Sequence, residues 1–292
     1  HHGRTGPCVE ALIAAGISKV YVGAVDPNPL VSGKGVERLR AAGIEVVCGL
    51  LAEDCGQLIA PFAKHIRSGM PYVVFKAAMT LDGQMGTASG EWNWISWAES
   101  RQLVHQLRNQ VDAIMVGSGT MNSDNPKLTT RLPEGGRDPV RIILDGSLTT
   151  SPEATVYTQP SSASTLLMTA DSQTDEALRP YQATGTEVVK VARNADGLDL
   201  EAVMQILGKR NFQHILLEGG SALGGAMMRA GLVDRVMIFV APKILGGVGR
   251  HLLSGDGVAQ ISDAYELLNL RARQVDKDIL IEGEVQHVHR PD

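Results

Sequence analysis

The chain has 292 residues, 43% of them hydrophobic and 20% charged, which is enough apolar material for one large core or two modest ones. A net charge of −5 with no basic stripe argues against a nucleic-acid partner, and no apolar run approaches the ~20 residues of a membrane helix. Three cysteines without a Cys-x-x-Cys pair argue against a disulfide framework and fit a reducing cytoplasm.

Pro7-Cys8 opens a helix over 9–15, where the helix dipole favours a thiolate and metal ligation. No second cysteine or His-x-Glu lies nearby to complete a zinc site. A strand over 19–26 ends in the turn Asp26-Pro27-Asn28-Pro29. A short helix over 36–42, a strand over 44–48 and a helix over 52–67 follow, and Pro61 predicts a kink or break in the last. Ser68-Gly69-Met70-Pro71 is a compact linker, so the chain divides into 1–70 and 71–292.

The larger part opens with a strand over 72–79, YVVFKAAM, apolar except for Lys76. A lysine flanked in this way needs an anionic partner or a reacting group. Thr80-Leu81-Asp82-Gly83 then turns the chain and is expected to bring the Asp82 carboxylate near it. Residues 88–96 place Trp92 and Trp94 in a polar loop, and 97–109 is a helix with Arg108 off its apolar face. The strand 112–117 runs into Ser118-Gly119-Thr120, followed by Asp124, Leu128 and Arg131. Hydroxyls and a glycine at a strand end with a basic residue beyond suit a phosphorylated ligand. Strands at 140–145 (closed by Gly146), 165–169, 187–191 and 235–241 alternate with helices at 172–180 and 199–209. A hairpin over 268–275 and 278–285 ends the pattern. Such alternation predicts an α/β layered domain with a largely parallel sheet and an antiparallel edge.

Residues 213–234, QHILLEGGSALGGAMMRAGLVD, read as strand, glycine turn and helix. Ser221 is the expected N-cap, Leu223, Met227 and Ala230 recur at helical spacing, and Gly231 closes the helix. Free N–H groups and a helix dipole at a strand's carboxyl edge suit phosphate, and Gly224 and Gly225 would let a ligand approach the backbone. Glu218 is the one charge at the lip. The spacing is neither G-x-G-x-x-G nor a P-loop, so glycines kept for helix–strand packing remain an open alternative.

Nine segments in order, HHGRTGPC, DPNPLVSGKG, FKAAMTLDG, ASGEWNWIS, HQLRNQVDAIMVGSGT, DNPKLTTR, RIILDG, LLEGGSALGGAMM and APKILGG, resemble one known family. It is the bifunctional diaminohydroxyphosphoribosylaminopyrimidine deaminase / 5-amino-6-(5-phosphoribosylamino)uracil reductase family of riboflavin biosynthesis. The resemblance covers essentially the whole chain. It implies the carboxyl-terminal part of a cytidine-deaminase-like zinc domain over 1–70, amino-terminally incomplete, and a dihydrofolate-reductase-like reductase over 71–292. It implies NADPH as cofactor, a phosphorylated aminopyrimidine as substrate and a homodimer. The family's NADP contacts fall on Ala78, Trp94, Thr120, Asp124, Gly146, Gly220, Ser221, Ala222, Leu223, Gly224, Gly225 and Ala226. Its substrate contacts fall on Trp92, Arg108, Leu128, Arg131 and Glu218, with Arg108 and Arg131 as a cationic pair for the 5′-phosphate. Lys76 matches the lysine of the reducing centre, with Glu218 and Asp82 as the other candidate catalytic groups.

The chain departs from the family in two places. Trp92 stands where a relative has a small hydroxyl residue. Neither the His-x-Glu nor the upstream Pro-Cys of the deaminase is in the sequence, which leaves Cys8 as a lone match to a zinc ligand. Deamination is therefore not expected of this chain. Two other readings stay open: a dihydrofolate-reductase-like enzyme with another pteridine or pyrimidine substrate, and a non-catalytic nucleotide-binding module.

Overall fold

The computed structural model describes residues 6–28, 33–89, 91 and 95–286. Trp92, Trp94, the HHGRT segment and the end of the turn at Pro29 lie outside the described residues. The chain divides into two compact units, His1–Tyr72 and Val73–Asp292.

The first unit contains α1 (Cys8–Ala14), β1 (Lys19–Val22), α2 (Lys34–Ala41), β2 (Glu45–Cys48) and α3 (Ala52–Ser68). β1 and β2 pair in parallel, and Lys19 bonds Glu45 across the pair at 2.8 Å. Leu39, Ile44 and Pro71 are the only buried apolar side chains among its described residues, which is a thin core. Contrary to the expected break, α3 runs through Pro61. One missing N–H among seventeen residues interrupts the hydrogen-bond ladder without ending it, and the helix stops at Gly69, at φ 70°.

The second unit begins within β3 (Tyr72–Thr80) and continues through α4 (Ala98–Gln110), β4 (Ala113–Gly117), α5 (Ser118–Asp124), β5 (Val140–Leu144), α6 (Thr155–Thr158) and β6 (Thr165–Ala170). Next come α7 (Asp175–Ala183), β7 (Glu187–Val191), the two-residue strands β8 (Arg193–Asn194) and β9 (Gly197–Leu198), and α8 (Leu200–Lys209). β10 (His214–Glu218), α9 (Ser221–Arg229), β11 (Arg235–Ala241), β12 (Leu267–Val275) and β13 (Asp278–Val285) complete it. Nine strands form one sheet in the order β12-β13-β11-β3-β10-β4-β5-β6-β7. β11 pairs β3 in parallel, and the run from β10 through β4, β5 and β6 to β7 is parallel throughout. The β11–β13–β12 edge is antiparallel. The parallel strands read as unbroken apolar runs because helices cover both faces. Phe75, Ile114, Met115, Ile142, Ile143, Leu167, Ile215, Leu216 and Phe239 are almost wholly buried.

One element is not assigned from sequence, and one local expectation is corrected. Residues Ser118 to Asp124 form the short helix α5. Ser221 is the first residue of α9, and the cap position belongs to Gly220, with no side-chain cap bond. Among the described residues, no helix is long and apolar enough to cross a membrane.

Candidate active site

Strand alternation sends Lys76, Ala78 and Thr80 of β3 to one face of the sheet, and Phe75 and Ala77 to the other. Phe75 lies under α9, where a Cβ on Gly224 would come within 2.8 Å of its ring. The opposite face carries the charges. At the end of β10, next to β3, Glu218 meets Arg108 of α4: Nε donates to Oε1 at 2.6 Å and Nη2 donates to Oε2 at 2.8 Å. Each residue is 9% exposed.

Burial alone would raise the Glu218 carboxyl. The Arg108 charge and its hydrogen bonds outweigh that, with help from Lys76, and hold it at about 2. Lys76 experiences the reverse. Burial lowers its ammonium below the ordinary lysine range, Glu218 raises it in part, and Arg108 pushes it down again. Its Nζ lies 5.9 Å from the centre of the Phe239 ring. Two cations therefore share one carboxylate, and the excess positive charge favours an anionic ligand beside a lysine that gives up its proton readily.

The glycine turn starts one residue past Glu218. Gly219 and Gly220 sit at φ 99° and 32°, where L side chains are strained. A Cβ on Gly219 would fall 2.7 Å from Thr120 Oγ1 on α5, and one on Gly220 3.2 Å from it. The two residues form a backbone cradle that any side chain would fill. The first intrahelical bond of α9 runs from the Gly224 N–H to the Gly220 carbonyl at 3.0 Å. The N–H groups of Ser221, Ala222 and Leu223 therefore precede the helical ladder, at the positive end of the dipole. This donor set fits a diphosphate.

The RibD C-terminal domain model matches residues 71–281. The chain belongs to the RibD family. The riboflavin biosynthesis protein RibD of Actinobacillus pleuropneumoniae is 40% identical over 285 residues, which are 97% of this chain and 75% of that protein. Acinetobacter baumannii RibD superposes with a TM-score of 0.80 at 32% identity, covering 98% of this chain and 78% of the other. A diaminohydroxyphosphoribosylaminopyrimidine deaminase/5-amino-6-(5-phosphoribosylamino)uracil reductase from Thermotoga maritima gives 0.79 at 33% identity, covering 98% and 76%. These likenesses bear out the fold class, with the RibD C-terminal domain as its reductase part.

Several positions implied by the RibD resemblance take on a different physical role. Gly224 and Gly225 are packed tightly on the side that a Cβ would take. The Phe75 ring fills the space at the first, and the Ser254 carbonyl lies 2.1 Å from where a Cβ of the second would stand. Asp82 is not gathered to Lys76. Its carboxylate accepts from Thr80 Oγ1 at 2.6 Å, from the Gly246 N–H at 2.7 Å and from the Leu245 N–H at 3.2 Å, and these bonds lower it to about 2. It fastens the loop after β11. The Leu128 side chain is buried in the core beside Ile114 and Met121, so only its backbone, at φ 55°, is left to face a substrate. Arg108 is not half of a free cationic pair, because a buried guanidinium needs a counter-charge and Glu218 takes its fork. That leaves Arg131, whose guanidinium forms no ion pair among the described residues.

Ala78 lies one step along β3 from Lys76, on the same face. Asp124 ends α5, accepts from Ser123 Oγ, and is raised above the ordinary carboxylate range by burial. Gly146 follows β5, where its carbonyl accepts from Gln173 Nε2 at 3.0 Å. Ala222 is exposed at the start of α9, with Leu223 and Ala226 half-buried. Sequence reading passed over His105, one helical turn before Arg108 on α4. Its place in a His-x-x-Arg pair on one helix face was the available signal.

Cys8 is exposed at the start of α1, and no group of three or more potential metal ligands occurs among the described residues. Catalytic zinc needs three protein ligands, so the residues present do not fit it and no deamination step follows from them.

Proposed function

We propose that this chain carries the reductase activity of riboflavin biosynthesis, converting the ribosyl group of 5-amino-6-(5-phosphoribosylamino)uracil to ribityl at the expense of NADPH. NADPH would supply the hydride, with its diphosphate on the Gly219–Gly220 cradle and the first N–H groups of α9. Lys76 donates a proton to the ribose ring oxygen as the C1′–O bond breaks, and Glu218 keeps that ammonium oriented. Arg108 holds Glu218 ionised, so the acid in this site is the lysine. Arg131 receives the 5′-phosphate, for which a planar guanidinium is suited. The observation that carries the reading is Lys76 and Glu218 on adjacent strands and one sheet face, with the nucleotide cradle beginning at the next residue.

Incubation with NADPH and the ribosylaminouracil phosphate tests it, and loss of reduced-nicotinamide absorbance with formation of the ribityl product is the expected result. Absence of turnover with this substrate, alongside turnover of another pyrimidine or a pteridine, would reassign the enzyme. NADPH preference is tested by the same assay with NADH. Gly219→Ala should weaken NADPH binding at least tenfold, since the new methyl meets Thr120 in a strained backbone conformation. Isothermal titration measures it, and an unchanged dissociation constant would place the diphosphate elsewhere.

A homodimer is part of the same reading. The edge strand β12 leaves Leu268 and Leu270 exposed, which supports a second copy docking there. A cytoplasmic location accords with three free cysteines.

A further inference from the structure

We propose that His105 is a positioning residue that sets Arg131 for the phosphorylated end of the substrate. The inference rests on the reading above in which Arg131 takes the 5′-phosphate. The strap from Thr129 to Arg131 is held to α4 on both sides of Thr130. Arg108 Nη1 donates to the Thr129 carbonyl at 2.9 Å, and the Arg131 N–H donates to His105 Nδ1 at 3.3 Å. Thr130 is fixed separately: its N–H donates to Asp138 Oδ1 and its hydroxyl to the Arg137 carbonyl, each at 2.8 Å. Farther along α4, Asn109 Oδ1 accepts the Arg137 N–H at 2.7 Å. His105, Arg108 and Asn109 stand at i, i+3 and i+4, so one helix face clamps the strap and its return. Upstream, Leu128 is locked in the core. The backbone of Arg131 is thereby fixed while its guanidinium is left unpaired among the described residues.

His105 can do this only as an acceptor at Nδ1, which puts the ring proton on Nε2. Partial burial and the Arg108 and Arg131 charges, opposed by Glu218 and by the Thr129 backbone, hold the imidazole at about 4, so it stays neutral in the working range. The contact joins the helix that fixes Glu218 to the residue that would hold the phosphate. A shift of the strap would move the cation without disturbing Lys76.

The test uses His105→Asn, whose Oδ1 stands where Nδ1 stood, and His105→Gln, whose acceptor is one bond farther out and whose bulk is closer to the parent. With the phosphorylated substrate, His105→Gln should raise KM about five- to tenfold, the scale of one hydrogen bond, with kcat nearly unchanged. His105→Asn should stay within about twofold of the parent. The substrate lacking its 5′-phosphate should not distinguish the three proteins. Ribose 5-phosphate binding by calorimetry should fall in the same order. Equal losses in both variants, or equal losses with both substrates, would overturn the positioning role and leave His105 a packing residue. Arg131→Ala separates the layers. If it spares the preference for the phosphorylated substrate, the phosphate reading itself falls. If it abolishes that preference while His105→Gln does not, only the role of His105 falls.

Discussion

Lys76→Met is expected to lower kcat for NADPH-dependent reduction by about 10²–10⁴-fold, the usual contribution of a positioned general acid, with NADPH affinity nearly unchanged. Lys76 shares its sheet face with Glu218, and burial lowers its ammonium below the ordinary lysine range. As the acid it must be protonated, so activity of the parent should fall as pH rises through that lowered value. The sign of its effect on stability separates chemistry from folding. Below the unfolded value the unfolded chain holds this proton more tightly than the folded one, so the charged lysine costs stability, and that cost fades only as pH rises toward the unfolded value. The methionine variant should unfold no earlier than the parent in urea. Undiminished turnover would remove Lys76 from the reaction.

The second large effect concerns the pair beside it. Glu218→Gln leaves Arg108 buried with half its fork unanswered, and breaking such a pair costs about 3–5 kcal/mol. The acid limb should change too. Glu218 is held near 2 against an ordinary 4.5, so its stabilising contribution is complete above 4.5 and is lost as pH falls from there toward 2. In Glu218→Gln that slope should vanish. Arg108→Met combined with Glu218→Leu should recover much of the lost stability, because neither charge is then stranded, but no activity. Urea midpoints across the acid range measure all three. A Glu218→Gln protein as stable as the parent would mean that water reaches the pair.

The architecture was largely legible from alternation. Buried parallel strands read as apolar runs, and Lys76 stood out because it interrupts one. The strand, turn and helix around Glu218 were legible for the same reason, since strand and helix periods differ and glycines separate them. What escaped depends on partners far away in the chain. Nothing near Arg108 announces Glu218, which is 110 residues distant, and nothing near Asp82 announces the amides of Leu245 and Gly246. The two pairs of glycines in the turn look alike in sequence. Only three-dimensional packing shows that Gly219 and Gly220 face Thr120 whereas Gly224 and Gly225 face Phe75 and Ser254. Pro61 misled because a proline's local penalty was weighed without the length of helix able to absorb it.

The back of α9 therefore limits how the protein can be re-engineered. Gly224 and Gly225 are wedged against an aromatic ring and a main-chain oxygen, so a mutagenesis library aimed at altered nucleotide preference would waste its diversity there on misfolded members. On the proposed reading, Ala222, exposed beside the cradle, is the position where a new side chain would be expected to select among dinucleotides while the helix keeps its seat.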